Sequence, residues 1–140
     1  MTVAMTPVFY PPFKPCPCKS GRSHQGCCQP LLEGTRTAIT AQELMRSRYT
    51  AYVLKNEAYL LRTWHENTRP ESLDLALDST QWESLTLHGS TSGGPTDTEG
   101  TVEFTARYKA QGQRHQMREN SRFVRTEGQW QYLDGSVTGT

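Results

Sequence analysis

Residues 101–110 read TVEFTARYKA, and the alternation within that stretch decides the fold class. Val102, Phe104, Ala106, Tyr108 and Ala110 interleave with Thr101, Glu103, Thr105, Arg107 and Lys109. A period of two gives a strand one covered face and one wet face. Ala110-Gln111-Gly112-Gln113 turns the chain, and a second long strand is predicted as far as about Thr126. Its even positions, Arg114, Gln116, Arg118, Asn120 and Arg122, face solvent. Its odd positions, His115, Met117, Glu119, Ser121 and Phe123, put polar groups on the face that should be covered. After a Glu127-Gly128 turn, Trp130, Tyr132 and Asp134 alternate along a last strand. Upstream the period of two begins at Trp82, and GSTSGGPTDTEG, between Leu87 and Thr101, reads as a mobile loop.

Helices precede these strands. Thr40-Ala41-Gln42-Glu43 is a capping box, in which Thr40 takes the amide of Glu43 and Glu43 reaches back. Leu44, Met45, Tyr49, Tyr52 and Val53 then recur at three- and four-residue intervals, so one helix face packs inward. Arg48 lies in that stripe; its guanidinium therefore needs a buried acceptor or must reach out to water. Asn56 caps a second helix carrying Leu60, Leu61 and Trp64, stopped by Thr68-Arg69-Pro70, and Ser72 opens a third, short one. Helices followed by an antiparallel sheet make an α+β domain, with the helices covering one face of a twisted sheet. We place this domain at residues 40–138.

All four cysteines fall within residues 16–28, as Cys16-Pro17-Cys18 and the adjacent pair Cys27-Cys28. Two close pairs on a short loop supply four soft donors to one structural zinc ion without needing a large core. Disulfides are the alternative. Neighbouring cysteines bridge each other only with strain, so oxidation would have to pair the two ends of the loop. His24, the other nearby donor, reads as an exposed loop residue rather than a ligand. Lys14, Lys19 and Arg22 either offset the roughly −2 charge of a zinc tetrathiolate or are solvated loop cations. We place this knuckle at residues 15–30. The knuckle has almost no apolar content, so metal binding is expected to supply its folding free energy, on the order of 10 kcal/mol, while the larger domain keeps a core of its own.

The stretch CPCKSGRSHQGCC resembles the SEC-C motif, named for the zinc-binding tail of the bacterial secretion ATPase SecA. It departs from that motif at Lys19, where glycine usually follows the second cysteine at a turn of positive φ. The runs LMRSRYTAYV, YLLRTWHENTRP, VEFTARY, ENSRFVR and GQWQYLDG look like the bacterial YchJ family, in which a SEC-C motif precedes a domain similar to nuclear transport factor two. The resemblance implies a cone-shaped fold whose concave sheet and first helices enclose a pocket. It also implies protein partners in the secretion or ribosome-associated machinery. It implies no particular reaction, because such cones serve enzymes, ligand binders and interaction modules alike.

Composition adds boundaries. The chain has 140 residues, with 15 Lys+Arg against 14 Asp+Glu, so no global basic field attracts nucleic acid and no acidic tail is present. No apolar run approaches the roughly 18 residues of a membrane helix. The opening MTVAMTPVFYPPFKP has none of the three regions of a secretory signal, which together with metal-bound cysteines indicates the cytoplasm. Residues 1–14 read as a flexible, Pro-rich arm and residues 31–39 as a linker.

The pocket candidates are Arg48, Tyr52, Trp64, His65, Glu119 and Ser121. A carboxylate on the concave face, an inward arginine and His65 beside Trp64 permit an acid-base site of lyase, isomerase or hydrolase type using Glu119 or Asp134. The favoured reading is structural, with Arg48 and Glu119 as a buried ion pair joining helix to sheet. Asp134 is expected to cap a turn or strand end, His115 to be an ordinary polar residue at a hairpin tip, and the three tryptophans to be core. The sequence thus points to a zinc-stabilised protein whose knuckle meets a protein partner and whose cone has room for a small ligand.

Overall fold

The computed structural model describes residues 8–137; residues 1–7 of the arm expected at 1–14, and the last residue assigned to the cone, 138, lie outside them. Four strands form an antiparallel meander in the order β1-β2-β3-β4: Gln81–Ser92 (β1), Glu99–Ala110 (β2), Gln113–Thr126 (β3) and Gln129–Val137 (β4). Three short α-helices precede the sheet: Gln29–Glu33 (α1), Ala41–Val53 (α2) and Glu57–Arg62 (α3). The alternation read in residues 101–110 is realised, with Val102, Phe104 and Ala106 buried on the concave face.

Local chemistry sets the helix ends. The Thr40 hydroxyl accepts the Glu43 amide at 3.1 Å, and Asn56 Oδ1 accepts the Tyr59 amide at 3.1 Å. The return arm of the capping box differs from expectation. Glu43 Oε1 accepts the Ile39 amide at 2.9 Å and binds Arg36 at 3.1 Å, so it anchors the segment before the cap. The third helix expected at Ser72 is instead a single 3-10 turn over Leu75–Leu77, entered through Asp74 at φ 51°.

Irregular register curves the sheet. β1 is bulged between Trp82 and Ser84 and again between Leu87 and Gly89. Between β3 and β4, Arg122 faces Asp134 while Phe123 faces Tyr132, so Leu133 is an extra residue in β4. One inserted residue reverses the facing of everything beyond it. Trp130 and Tyr132 therefore face the concave side, but Asp134 is turned to the outer side, where Arg122 grips it with two hydrogen bonds of 2.5 and 2.6 Å. Asp134 is neither a turn cap nor a cavity acid.

The core is continuous. It runs from the four cysteines through Leu31, Leu44 and Tyr49 to Val102, Phe123 and Trp130. The expectation of a knuckle without a share in the larger core is corrected: α2 is packed on both sides, and the cysteines lie in the same apolar cluster as the sheet. The chain around the knuckle is held as well. The Val8 amide donates to Leu54 O at 2.7 Å and the Gln25 amide to Pro12 O at 2.8 Å, so residues 8–14 are tied down. Ile39 O accepts Trp130 Nε1 at 3.0 Å, which fixes the end of the segment read as a linker.

The loop read as mobile is shorter and firmer than expected. β1 and β2 stay paired as far as Ser92 and Gly100, and the Arg125 guanidinium donates to the carbonyls of Gly94, Pro95 and Asp97. Gly93 O in turn accepts the first amide of α2, from Ala41, at 2.9 Å. Gly93 and Gly100 allow this closure, since a Cβ on Gly100 would sit 2.5 Å from Gly93 Cα. Gly100→Ala should therefore destabilise the fold by about 2 kcal/mol, because the clash is with backbone rather than a movable side chain. A denaturant midpoint equal to that of the parent would contradict this packing.

Candidate functional site

Two sites lie on opposite sides of α2. Arg46 and Thr50, four residues apart on one side, meet the knuckle; Met45, Arg48, Tyr49 and Tyr52, at helical spacing, meet a cavity on the concave face of the sheet.

At the knuckle, the four Sγ atoms of Cys16, Cys18, Cys27 and Cys28 lie within 4.8 Å of one another, all buried. Cys18 and Cys27 are 3.5 Å apart and Cys27 and Cys28 are 3.9 Å apart. These separations are far beyond a disulfide bond, and they match the spacing of about 3.8 Å between thiolates set tetrahedrally around zinc. The four residues thus fit one ion. The turn that carries Cys18 keeps its positive φ even though Lys19 occupies it, at 66°.

Donors surround the sulfurs. Ser20 Oγ is 3.1 Å and Arg22 Nη2 3.8 Å from Cys27 Sγ, and Thr50 Oγ1 is 3.4 Å from Cys28 Sγ. His24 is buried rather than exposed, with Nδ1 3.6 Å from Cys16 Sγ and the Tyr10 ring edge-on to it at 5.2 Å. The sequence reading missed this because a loop histidine carries no periodicity. The residue packs against one of the four candidate ligands and stands outside their cluster, a common arrangement around metal centres. Of the three cations considered, Arg22 makes the sulfur contact, while Lys14 and Lys19 are exposed. Hydrogen bonding with Cys28 draws the pKa of Cys27 below that of an ordinary thiol, and hydrogen bonding with Cys18 pushes that of Cys16 above it, the split that closely packed thiols impose on one another.

The cavity has a volume of about 340 Å³. Arg48, Tyr52, Trp64, Glu119 and Ser121 line it together with Trp82, Phe104, Phe123 and Tyr132. Trp64 and Trp82 are therefore half-buried cavity walls, whereas Trp130 is core. His65 does not line the cavity: its amide donates to Tyr132 O at 2.8 Å and its Nδ1 accepts the Asn67 amide. His115, near the β2–β3 turn, stacks on Tyr108.

Arg48 and Glu119 share the cavity but do not form the expected ion pair. Arg48 Nη1 donates to Leu60 O at 2.8 Å and to Thr63 Oγ1 at 2.7 Å, and its guanidinium lies over the rings of Trp64 and Tyr132 at 5.0 and 4.6 Å. The end of α3 and two aromatic faces satisfy the charge that a carboxylate was expected to meet. Burial lowers the pKa of Arg48, and nearby Tyr52, Tyr132, Tyr59 and Glu119 oppose that shift. Glu119 Oε2 accepts from the Ser121 hydroxyl and, at 3.3 Å, from Tyr132. Burial and the Glu119 charge raise the pKa of Tyr132, which keeps that hydroxyl a donor. Gly135 leaves room for the carboxylate, since a Cβ there would stand 2.3 Å from Oε2. Trp64 Nε1 is buried with no acceptor among the described residues.

Comparisons with known proteins agree with this geometry. A family model described as "YchJ, middle NTF2-like domain" matches residues 40–135. A UPF0225 protein of Deinococcus radiodurans is 51% identical over 132 residues, covering 93% of this chain and 95% of the relative. A UPF0225 protein of Streptomyces coelicolor is 45% identical, covering 89% and 96%. The solution structure of a SEC-C motif containing protein from Rhodopseudomonas palustris superposes with a TM-score of 0.76 at 34% identity, covering 86% of this chain and 96% of that one. A crystal structure of a SEC-C motif containing protein from Psychrobacter arcticus gives 0.73 at 27% identity, covering 92% and 85%.

Two outcomes follow from the site. Elemental analysis should find one metal ion per chain, lost on Cys28→Ser; metal-free native protein would contradict the tetrathiolate. Arg48→Met should cost about 2–3 kcal/mol by orphaning the acceptors on α3, Glu119→Gln less than about 1, and the double variant their sum, because the two side chains do not touch. A double-mutant cycle with a coupling of several kcal/mol would restore the ion pair.

Proposed function

The chain belongs to the YchJ-like UPF0225 family, and from that premise we propose that it is a binding protein in which a structural zinc knuckle supports a small-ligand cavity. Four buried thiolates with no open position suit a structural ion, and soft tetrahedral sulfur selects zinc over harder cations. Thiolate ligation also suits a reducing compartment, which supports a cytoplasmic location. No helix of the described residues is long and apolar enough to cross a membrane.

The observation that carries the proposal is the aromatic cavity itself. Its volume falls within the roughly 300–1,000 Å³ of small-molecule sites, and a few polar groups converge in a mainly apolar wall, as such sites require. Glu119 is the one carboxylate among the lining residues, with no histidine or cysteine nearby in the wall to complete a proton-transfer or nucleophilic set. Binding therefore describes the cavity better than catalysis.

A protein partner at the knuckle is the second part of the proposal. Phe9 and Phe13 are 81% and 73% exposed beside exposed Lys14, Lys19 and Arg22, a combination of bare aromatics and cations that suits docking. The SEC-C resemblance directs this reading toward the secretion or ribosome-associated machinery.

The three tryptophans supply an internal test of the cavity. Titrated with quinoline, a flat neutral probe, the indole N–H resonances of Trp64 and Trp82 should shift at low millimolar concentration while that of Trp130, bonded to Ile39 O, stays in place. No shift at either cavity tryptophan, or equal shifts at all three, would overturn the ligand-binding reading.

A further inference from the structure

Arg48 and Glu119 face the same cavity, one on α2 and one on β3, with Tyr132 touching both, and each is only partly used by the protein. Nη1 of Arg48 makes both of its hydrogen bonds, so Nε and Nη2 have no acceptor among the described residues. Oε2 of Glu119 takes both of its donors, from Ser121 and Tyr132, leaving Oε1 with none among the described residues. A buried guanidinium and a half-buried carboxylate thus share one cavity without pairing, each with a hydrogen-bonding atom left over. The cavity thus offers a donor and an acceptor, both beside Tyr132, and no net charge.

We propose that the cavity binds a flat, uncharged heteroaromatic molecule of one or two fused rings, whose edge presents a carbonyl oxygen to Arg48 and an N–H to Glu119. This rests on the ligand-binding reading above and adds the chemistry of the ligand. Flatness follows from the walls: Trp64 and Tyr132 meet edge to face, and Trp82 closes against Tyr52, leaving ring faces and edges for a planar guest. Met45 and Met117 complete the lining with side chains that adapt to ring size. Neutrality follows from the charges. An anion would gain Arg48 but meet Glu119, and a cation would suffer the converse. A cyclic amide edge satisfies both groups at once, and a site built to hydrogen-bond a group rejects analogues that lack it.

The test compares three probes of similar size on the full zinc-loaded chain, read at the indole resonances of Trp64 and Trp82. Quinolin-2-one has the carbonyl and the N–H, its N-methyl derivative lacks the donor, and 2-naphthoate carries a negative charge. Quinolin-2-one should bind at least about tenfold more tightly than either, the loss expected when one charged partner is left without its hydrogen bond. Glu119→Met should erase the advantage over the N-methyl derivative and improve 2-naphthoate. The unsubstituted comparison needs no variant, so misfolding of Glu119→Met cannot conceal the answer. If the N-methyl derivative or 2-naphthoate equals quinolin-2-one, the proposed edge is wrong although the cavity still binds. If quinoline itself moves neither tryptophan, the ligand-binding reading fails and this assignment fails with it.

Discussion

Convergence of four cysteine sulfurs on one point against α2 is the constraint on which the rest of the structure depends. The Thr50 hydroxyl touches Cys28 Sγ, and Arg46 donates to Cys18 O at 2.7 Å, so the helix is held by the knuckle as well as by the sheet. The other side of the same helix carries Arg48, Tyr49 and Tyr52 into the cavity wall. A thirteen-residue helix is marginal alone, whatever its propensity, and takes its stability from packing on both sides. A metal ion held by these sulfurs would therefore shape the cavity at one remove, by fixing the position of the helix that forms its roof.

The cavity exists because the sheet is irregular in particular places. The bulge at Leu133 turns Asp134 outward to Arg122 and presents Gly135 beneath Glu119, where the absence of a side chain gives the carboxylate its space. Without that bulge Asp134 would continue the concave face behind Tyr132 and add a second negative charge to it. The polar content of the cavity is thus reduced to Arg48 and Glu119, with Ser121 and Tyr132 holding the latter.

Much of this was legible in the sequence. Thr40 and Asn56 mark helix starts by side-chain chemistry that depends only on residues three positions away, and the alternation of Val102, Phe104 and Ala106 states directly which face is covered. The clustering of the four cysteines was legible for the same reason, since their spacing is local. What was hidden depends on distant partners or on single-residue insertions. Nothing before or after His24 indicates burial against Cys16 and Tyr10. A one-residue change of phase at Leu133 has no compositional mark, so Asp134 was assigned to the wrong face. Arg48 was correctly drawn inward by its helical position, but its acceptors at Leu60 and Thr63 and its aromatic bed at Trp64 and Tyr132 come together only in the fold. The polar loop at residues 93–98 looks mobile by composition and is pinned by Arg125, more than twenty residues away in the chain.

Amide hydrogen exchange on the metal-free chain tests the dependence of the cavity on the knuckle most directly. Stripping the ion with a chelator under reducing conditions should raise exchange not only within residues 16–28 but along α2, including the amides of Arg48 to Tyr52, because the helix loses one of its two supports. Protection in α2 that stays at its metal-loaded level while residues 16–28 exchange freely would contradict the account, and would make knuckle and cone two independent units.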